Sequence, residues 1–241
     1  MKNIAMLAFT LLILNSCSAQ WGKKIKGNGI TKTIERSTGD YDEVAVSGWF
    51  NVDLVEGKEG DITLTGEENL LDYIITEVKD DKLVIKVEKG RNLQPSNWKN
   101  GIRITVPIER VSAVSLSGSG DIVGKKIIKT DLFQTNMSGS GDITLTVEAT
   151  NISASMSGSG DMNLSGNTQY FDARISGSGD IKAYDLKAEN VHATVSGSAD
   201  IKVTATKSIS ARVSGSGDIS YKGNPDKVDT KSSGSGDISR G

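Results

Sequence analysis

From about residue 112 onward apolar and polar positions alternate strictly, and the alternation restarts every 18 to 21 residues. The restart point is the pentapeptide Ser-Gly-Ser-Gly-Asp, which begins at Ser117, Ser138, Ser157, Ser176, Ser214 and Ser233, with the variant Ser-Gly-Ser-Ala-Asp at Ser196. Its aspartates are Asp121, Asp142, Asp161, Asp180, Asp200, Asp218 and Asp237, spaced by 21, 19, 19, 20, 18 and 19 residues. Counted from these anchors, odd offsets are mostly apolar. Five residues before the anchor stand Leu116, Met137, Met156, Ile175, Val195, Val213 and Ser232; one residue after it stand Ile122, Ile143, Met162, Ile181, Ile201, Ile219 and Ile238. Even offsets are polar, as in Ser115, Asn136, Ser155, Arg174, Thr194, Arg212 and Lys231, six before the anchor. A period of two is that of a β-strand, whose successive side chains point to opposite faces. Each repeat therefore predicts one strand before the motif and a second after it.

A period near twenty is the mark of a solenoid, in which each repeat is one coil. No such coil can bury its apolar positions alone, but coils stacked about 4.8 Å apart give parallel strands with one continuous core. The prediction is an all-β parallel β-helix of about seven coils of 18–21 residues. Strand twist favours the right hand. Helices are excluded by the β-branched, glycine-punctuated segments between motifs. Ser232 and Arg240 replace apolar residues in two core columns, so the last coil is expected to be a polar terminus.

Within the motif the two glycines fall where one strand passes to the next, a place where a corner can demand positive φ. The serines and the aspartate can bond nearby backbone N–H groups. The regular solenoid is assigned to residues 111–241. Residues 40–110 alternate less regularly and are expected to form irregular N-terminal coils that cap it: an early coil in EVAVSGWFNVDLVEG, then a strand, a short helical turn around Glu68 to Tyr73, and a hairpin turning at Asp80-Asp81. Trp49 and Phe50 are expected to pack into this region. Residues 20–39 carry no clear pattern and are expected to be a linker.

The first residues change the picture of where the chain works. Lys2 precedes an apolar run from Ile4 to Leu14 that is too short to span a bilayer and suits a secretory signal over residues 1–19. Cys17, the single cysteine, lies in the cleavage zone, so no disulfide can form within one chain. Its context, Leu14-Asn15-Ser16-Cys17, is similar to a bacterial lipobox, and ordinary cleavage after Ala19 is the alternative. The expected destination is extracytoplasmic: held at the outer membrane through acylated Cys17, periplasmic, or at the cell surface. Charges nearly cancel, with 28 basic against 30 acidic residues, which leaves no basic face for nucleic acid.

Candidate chemistry is sparse. His192, the single histidine, occupies an even offset and should face outward, with neither a histidine partner nor a nucleophile motif. Catalysis of the kind some β-helices perform on polysaccharides is therefore the weaker alternative, and no catalytic residue, metal ligand or cofactor is assigned. The seven aspartates pose a sharper question. Stacked at coil spacing, neighbouring carboxylates would repel by about 0.9 kcal/mol in a water-like dielectric and about 3.5 kcal/mol at an effective value of 20. Backbone donors at the corner, solvation, partial protonation or bridging calcium could each offset this. Residues 89–101 form the most loop-like stretch, with Pro95 and Trp98, and Trp98 is the candidate binding-loop residue.

Several segments taken together, SGWFNVDL at 47–54, KLVIKV at 82–87, IRITVP at 102–107, the repeated SGSGD and ISYKGNP at 219–225, resemble the head GIN domain family, described as auto-transporter adhesin heads and common in Bacteroidota. The resemblance covers residues 40–239 and implies an extracytoplasmic β-solenoid of adhesin type. A rigid rod that shows rows of Ser, Thr, Asn, Lys and Asp suits multivalent contact with a glycan or a cell-surface protein. A structural envelope role without a dedicated ligand is the alternative, and the oligomeric state is left open.

Overall fold

The computed structural model describes residues 22–98 and 101–241; the signal segment and Cys17 lie outside the described residues. Five long strands carry the solenoid: β11 (Asp121–Gly139), β12 (Asp142–Gly158), β13 (Asp161–Gly177), β14 (Asp180–Gly197) and β15 (Asp200–Gly215), each paired in parallel with the next. Each is one coil with two runs. In β12 the inward positions are Ile143, Leu145 and Val147, then, after a bend at residues 148–151, Ile152, Ala154 and Met156. The predicted columns stack in register: Ile143 on Met162, Met162 on Ile181 and Ile181 on Ile201, all fully buried. The chain is thus a β-solenoid of about seven turns with a single core.

Its C-terminal end is made by β16 (Ile219–Lys222), β17 (Lys227–Gly234) and β18 (Ile238–Arg240). All of β17 is exposed, including Val228 and Ser232, which occupy core columns in the coils before it. Toward the N-terminus, β10 (Ala113–Gly118) pairs in parallel with β3 (Glu43–Gly48), and β4 (Asn51–Glu56) pairs in parallel with β11. The segment SGWFN therefore occupies a corner equivalent to SGSGD, with Asn51 in register with Asp121.

Beyond that coil parallel pairing gives way to antiparallel. β7 (Lys82–Val87) lies parallel to β3 but antiparallel to β6 (Ile74–Lys79), through a hairpin in which Asp80 and Asp81 both take positive φ. On the other run, β9 (Arg103–Ile108) lies parallel to β4 and antiparallel to β5 (Asp61–Glu67). The helical turn α1 (Glu68–Leu71) buries Leu70 and Leu71, and Phe50 is fully buried.

The expected linker is a correction. Residues 23–37 form β1 (Lys23–Lys26), paired with β8 (Arg91–Gln94), and β2 (Thr31–Ser37), paired antiparallel along all of β5. The pattern was invisible because both strands lie on the surface and turn little apolar area inward, Ile25 and Ile34 being the partly buried positions. Polar contacts hold them instead. The Arg36 guanidinium donates to the carbonyls of Leu71, at 2.7 Å, and Ile74. The buried Glu67 carboxylate accepts the N–H of Gly29 at 2.5 Å and of Ser96 at 2.7 Å.

Candidate binding face

The corner motif is built by two glycines with different duties. The first takes positive φ in every copy, from +121° at Gly197 to +147° at Gly177. The second is absent from the positive-φ residues; it points inward, where a Cβ on Gly160 would lie 1.8 Å from the carbonyl oxygen of Gly141. Close coil-to-coil approach thus explains both glycines, since a Cβ on Gly158 would likewise lie 1.9 Å from Gly139 O, and positive φ adds a second reason at the first. A backbone ladder runs through the corners, as in Ser159 N–H to Gly139 O and Ser178 N–H to Gly158 O, both 2.9 Å.

The same corners resolve the stacked carboxylates. Oδ1 of one aspartate accepts the backbone N–H of the next: Asp121 from Asp142 at 3.3 Å, Asp142 from Asp161 at 2.9 Å, Asp200 from Asp218 at 2.9 Å and Asp218 from Asp237 at 2.8 Å. Hydrogen bonds to a charged acceptor contribute about 1.5–3 kcal/mol, the same order as the repulsion. In the middle of the column Lys182 reaches Asp161 at 2.5 Å and Asp180 at 3.6 Å, and the hydrogen bond to Asp161 holds its ammonium above the ordinary lysine range. Among the described residues no cluster of His, Cys, Asp or Glu is arranged to hold a metal ion.

The two outer faces differ. The run after the motif carries most of its charge toward the ends, where Asp53 faces Arg103 at 2.7 Å and Lys125 at 3.5 Å and the Lys222 ammonium sits 4.2 Å from the Tyr184 ring centre, while its outward side chains in β12 and β13 are the neutral Thr144, Thr146, Asn163 and Ser165. The run before each motif is nearly neutral. From β3 to β15 its outward side chains are mostly Ser, Thr, Asn, Gln and Ala, and the charges it carries are paired, Glu43 with Lys82, Asp172 with Arg174, and Arg212 with Asp229.

A groove of about 630 Å³ follows this neutral face between the columns six and four residues before the anchor. It begins at Ala45 and Ser47 and ends at Thr194 and Ser196, crossing six coils. At about 4.8 Å per coil that is a length of about 24 Å. Beside it, between the columns ten and eight before the anchor, lies a cleft of about 320 Å³ walled by Leu132 and Tyr170, with Asp172 and His192 among its polar residues. His192 faces outward, half-buried, with Nε2 3.4 Å from Thr194 Oγ1. Sequence reading missed this cleft, although two large apolar side chains at polar offsets, Leu132 and Tyr170, were its signal.

Trp98 stands apart from both grooves. It is 63% exposed and meets Trp49 edge-on with ring centres 5.1 Å apart, while Trp49 leans on buried Phe50 at 5.5 Å. No helix among the described residues is long and apolar enough to cross a membrane.

A family model described as "Putative auto-transporter adhesin, head GIN domain" matches residues 40–225. Among solved structures, a "putative adhesin" from Bacteroides fragilis NCTC 9343 is 26% identical with a TM-score of 0.82, covering 90% of this chain and 99% of its own. A "Putative lipid binding protein" from Parabacteroides distasonis ATCC 8503 is 27% identical with a TM-score of 0.75, covering 91% and 100%. A "putative adhesin" from the same strain, 24% identical with a TM-score of 0.71 over 91% and 100%, shares the fold. Among curated proteins none matches the chain.

Proposed function

We propose that this chain, which belongs to the head GIN domain family, is an exported adhesin-like module without a catalytic role, and that it binds a surface glycan along the neutral face of its solenoid. The observation that carries the reading is the groove from Ala45 to Thr194: six coils long, with a mainly apolar surface between two rows of mostly serine, threonine and asparagine side chains, and with its one charged side chain, Arg174, paired to Asp172. A neutral polyhydroxylated chain meets hydrogen-bonding groups there at each coil step, and many weak contacts add along its length. The acidic column is a structural corner in this reading, since Asp121, Asp142, Asp200 and Asp218 accept an N–H of the next coil and Asp161 and Asp180 meet Lys182. Exposed Trp98 supplies a separate apolar contact at the N-terminal end. Export follows from the leader-like residues 1–19, with Cys17 as the lipid attachment point; a diacylglyceryl mass on Cys17 in the mature protein tests that part.

The binding part is tested on a glycan array and in a cell-adhesion assay, with wild type against Asn136→Arg and Ser155→Arg, which fill the groove from its outer wall. Binding by wild type and loss in both variants is expected. Liposome flotation is run alongside, because one relative is named a lipid-binding protein. Flotation without glycan binding would replace the glycan with lipid. Silence in all three assays would leave a structural envelope role.

A further inference from the structure

Backbone groups in the coils alternate in direction. Residues at even offsets from the anchor bond the coil before, as in Gln134 N–H to Ser112 O at 2.8 Å and Ser235 N–H to Gly215 O at 2.9 Å. Residues at odd offsets bond the coil after, as in Ile219 N–H to Asp237 O at 2.9 Å. β17 keeps this register, with Asp229 beside Ser210 and Lys231 beside Arg212. Asp229 and Lys231 therefore turn their N–H and C=O groups back to β15, and Val228, Thr230 and Ser232 turn theirs outward along the solenoid axis. Among the described residues no strand lies beyond β17 to take them.

A row of outward N–H and C=O groups is a template for another strand, and the side chains narrow what that strand can be. A second copy of β17 running antiparallel sets outward backbone groups against outward groups, and inward side chains against inward ones, when the two-fold passes through a residue. The longest overlaps of Lys227–Gly234 with itself are centred on Thr230 and on Lys231. Centred on Lys231, the two ammonium groups face each other. Centred on Thr230, Asp229 of each copy faces Lys231 of the other, Lys227 faces neutral Ser233, and no like charges are opposed. Val228 then exchanges backbone bonds with Ser232 of the second copy, and Thr230 with its own equivalent.

Lys231 is suited to such a contact. It has no ion pair among the described residues, and its register neighbour is Arg212, a like charge whose partner is Asp229. Val228, 50% exposed at a core position, gains cover from the inward side chains of the second copy. We propose that β17 is a self-docking edge, on which a second copy of this chain pairs antiparallel about Thr230, joining two solenoids tail to tail with their N-terminal caps at opposite ends. This goes beyond the glycan reading and does not depend on it, since the groove ends at Thr194 and Ser196, before β17.

Sedimentation velocity and small-angle X-ray scattering on the mature protein, made without lipid, test the pairing. A contact one coil wide is at the small end of interface sizes, so half-association is expected at roughly 0.1 mM. Wild type should pass from monomer to dimer as concentration rises, and the dimer should scatter as a rod of nearly twice the monomer length. Lys231→Asp opposes two acidic groups at both contacts and should weaken association tenfold or more. Adding Asp229→Lys to it restores opposite charges with the signs exchanged and should restore the dimer. Both side chains are exposed, so circular dichroism of the single and double variants should match wild type. A wild type that stays monomeric at the highest concentration, a compact dimer, a dimer indifferent to Lys231→Asp, or a double variant that fails to recover overturns the proposal. The glycan array reads a different face, so the two proposals stand or fall separately.

Discussion

Replacing the first and second glycine of a single corner by alanine separates two physical costs that the motif combines. At Gly158, φ is +145° and a Cβ would lie 1.9 Å from Gly139 O. Backbone in that region is nearly closed to other residues and costs about 1–3 kcal/mol. Relieving the clash also means parting the coils, which strains the ladder bonds Ser159 N–H to Gly139 O and Ser178 N–H to Gly158 O, each worth about 1 kcal/mol. Gly158→Ala should therefore destabilise by about 3–5 kcal/mol. Gly160 has the same tight approach, 1.8 Å from Gly141 O, but no positive φ. The chain already carries alanine at the equivalent of Gly160, at Ala199, which is buried. There the corner has opened: a Cβ on Gly197 would lie 2.5 Å from Gly177 O, against 1.9–2.3 Å at the other repeat corners. Gly160→Ala should thus cost about 1–2 kcal/mol by the same loosening. Urea unfolding followed by circular dichroism measures both, and hydrogen exchange at Ser159 and Ser178 shows where the coils part. Equal losses, or a larger loss at Gly160, would refute the division of labour between the two glycines.

Three further outcomes follow from other parts of the molecule. Thr135 faces the core in a column otherwise filled by Val114, Ala154, Ala173, Ala193 and Ala211, and its hydroxyl is buried without a partner, so Thr135→Val should raise stability by about 1 kcal/mol, or about 2–4 °C in Tm; a lower Tm would show that the hydroxyl is satisfied in solution. Burial pushes the Glu67 carboxyl up, but the N–H donors of Gly29 and Ser96 outweigh it and leave the pKa below the ordinary value of 4.5. Its stabilisation is therefore complete above that value and lost as pH falls through the depressed folded pKa, so the Tm gap between wild type and Glu67→Gln should be wide at pH 6 and close toward pH 3; a gap independent of pH would contradict this. Because the aspartate column is satisfied by backbone donors and Lys182, millimolar calcium should move Tm by no more than about a degree or two, whereas bridging between neighbouring carboxylates would give a large, saturable rise.

The coil was legible because one constraint repeats seven times. Each corner restarts the count, so a period of two could be read by column, and the inward positions Ile143, Met162, Ile181 and Ile201 fell into register as expected. What stayed hidden was of two kinds. β1 and β2 are fastened by Arg36, Glu67 and backbone pairing and not by an apolar stripe, so their residues carry no alternation to read. Both glycines are required by a carbonyl of the preceding coil, a neighbour about twenty residues away that local sequence does not display, and only the first adds a positive φ. The candidate site is legible in a weaker sense. Trp98 was visible as an aromatic in a loop, but Leu132 lies two coils from Tyr170 and the two share one cleft only after stacking.

The corners also explain why the proposed binding face lies where it does. An inward residue must match the volume of its column, and both glycines and the aspartate are held by the coil before or after, so none of these positions is free to serve a ligand. On the outward side of the run after the motif, Lys182, Lys125 and Asp53 are engaged in balancing charge near the carboxylate column. The run before the motif combines a row of mostly small, neutral outward side chains with a rigid backbone. Substitutions at exposed Leu132, Gln134 or Tyr170 should come at almost no cost to winding, since exposed positions away from core, caps and glycines shift stability by about 0.5 kcal/mol or less. A solenoid built this way separates the inward columns and corners that fix its winding from an outer face on which exposed side chains such as Leu132 and Tyr170 can vary without disturbing the coil.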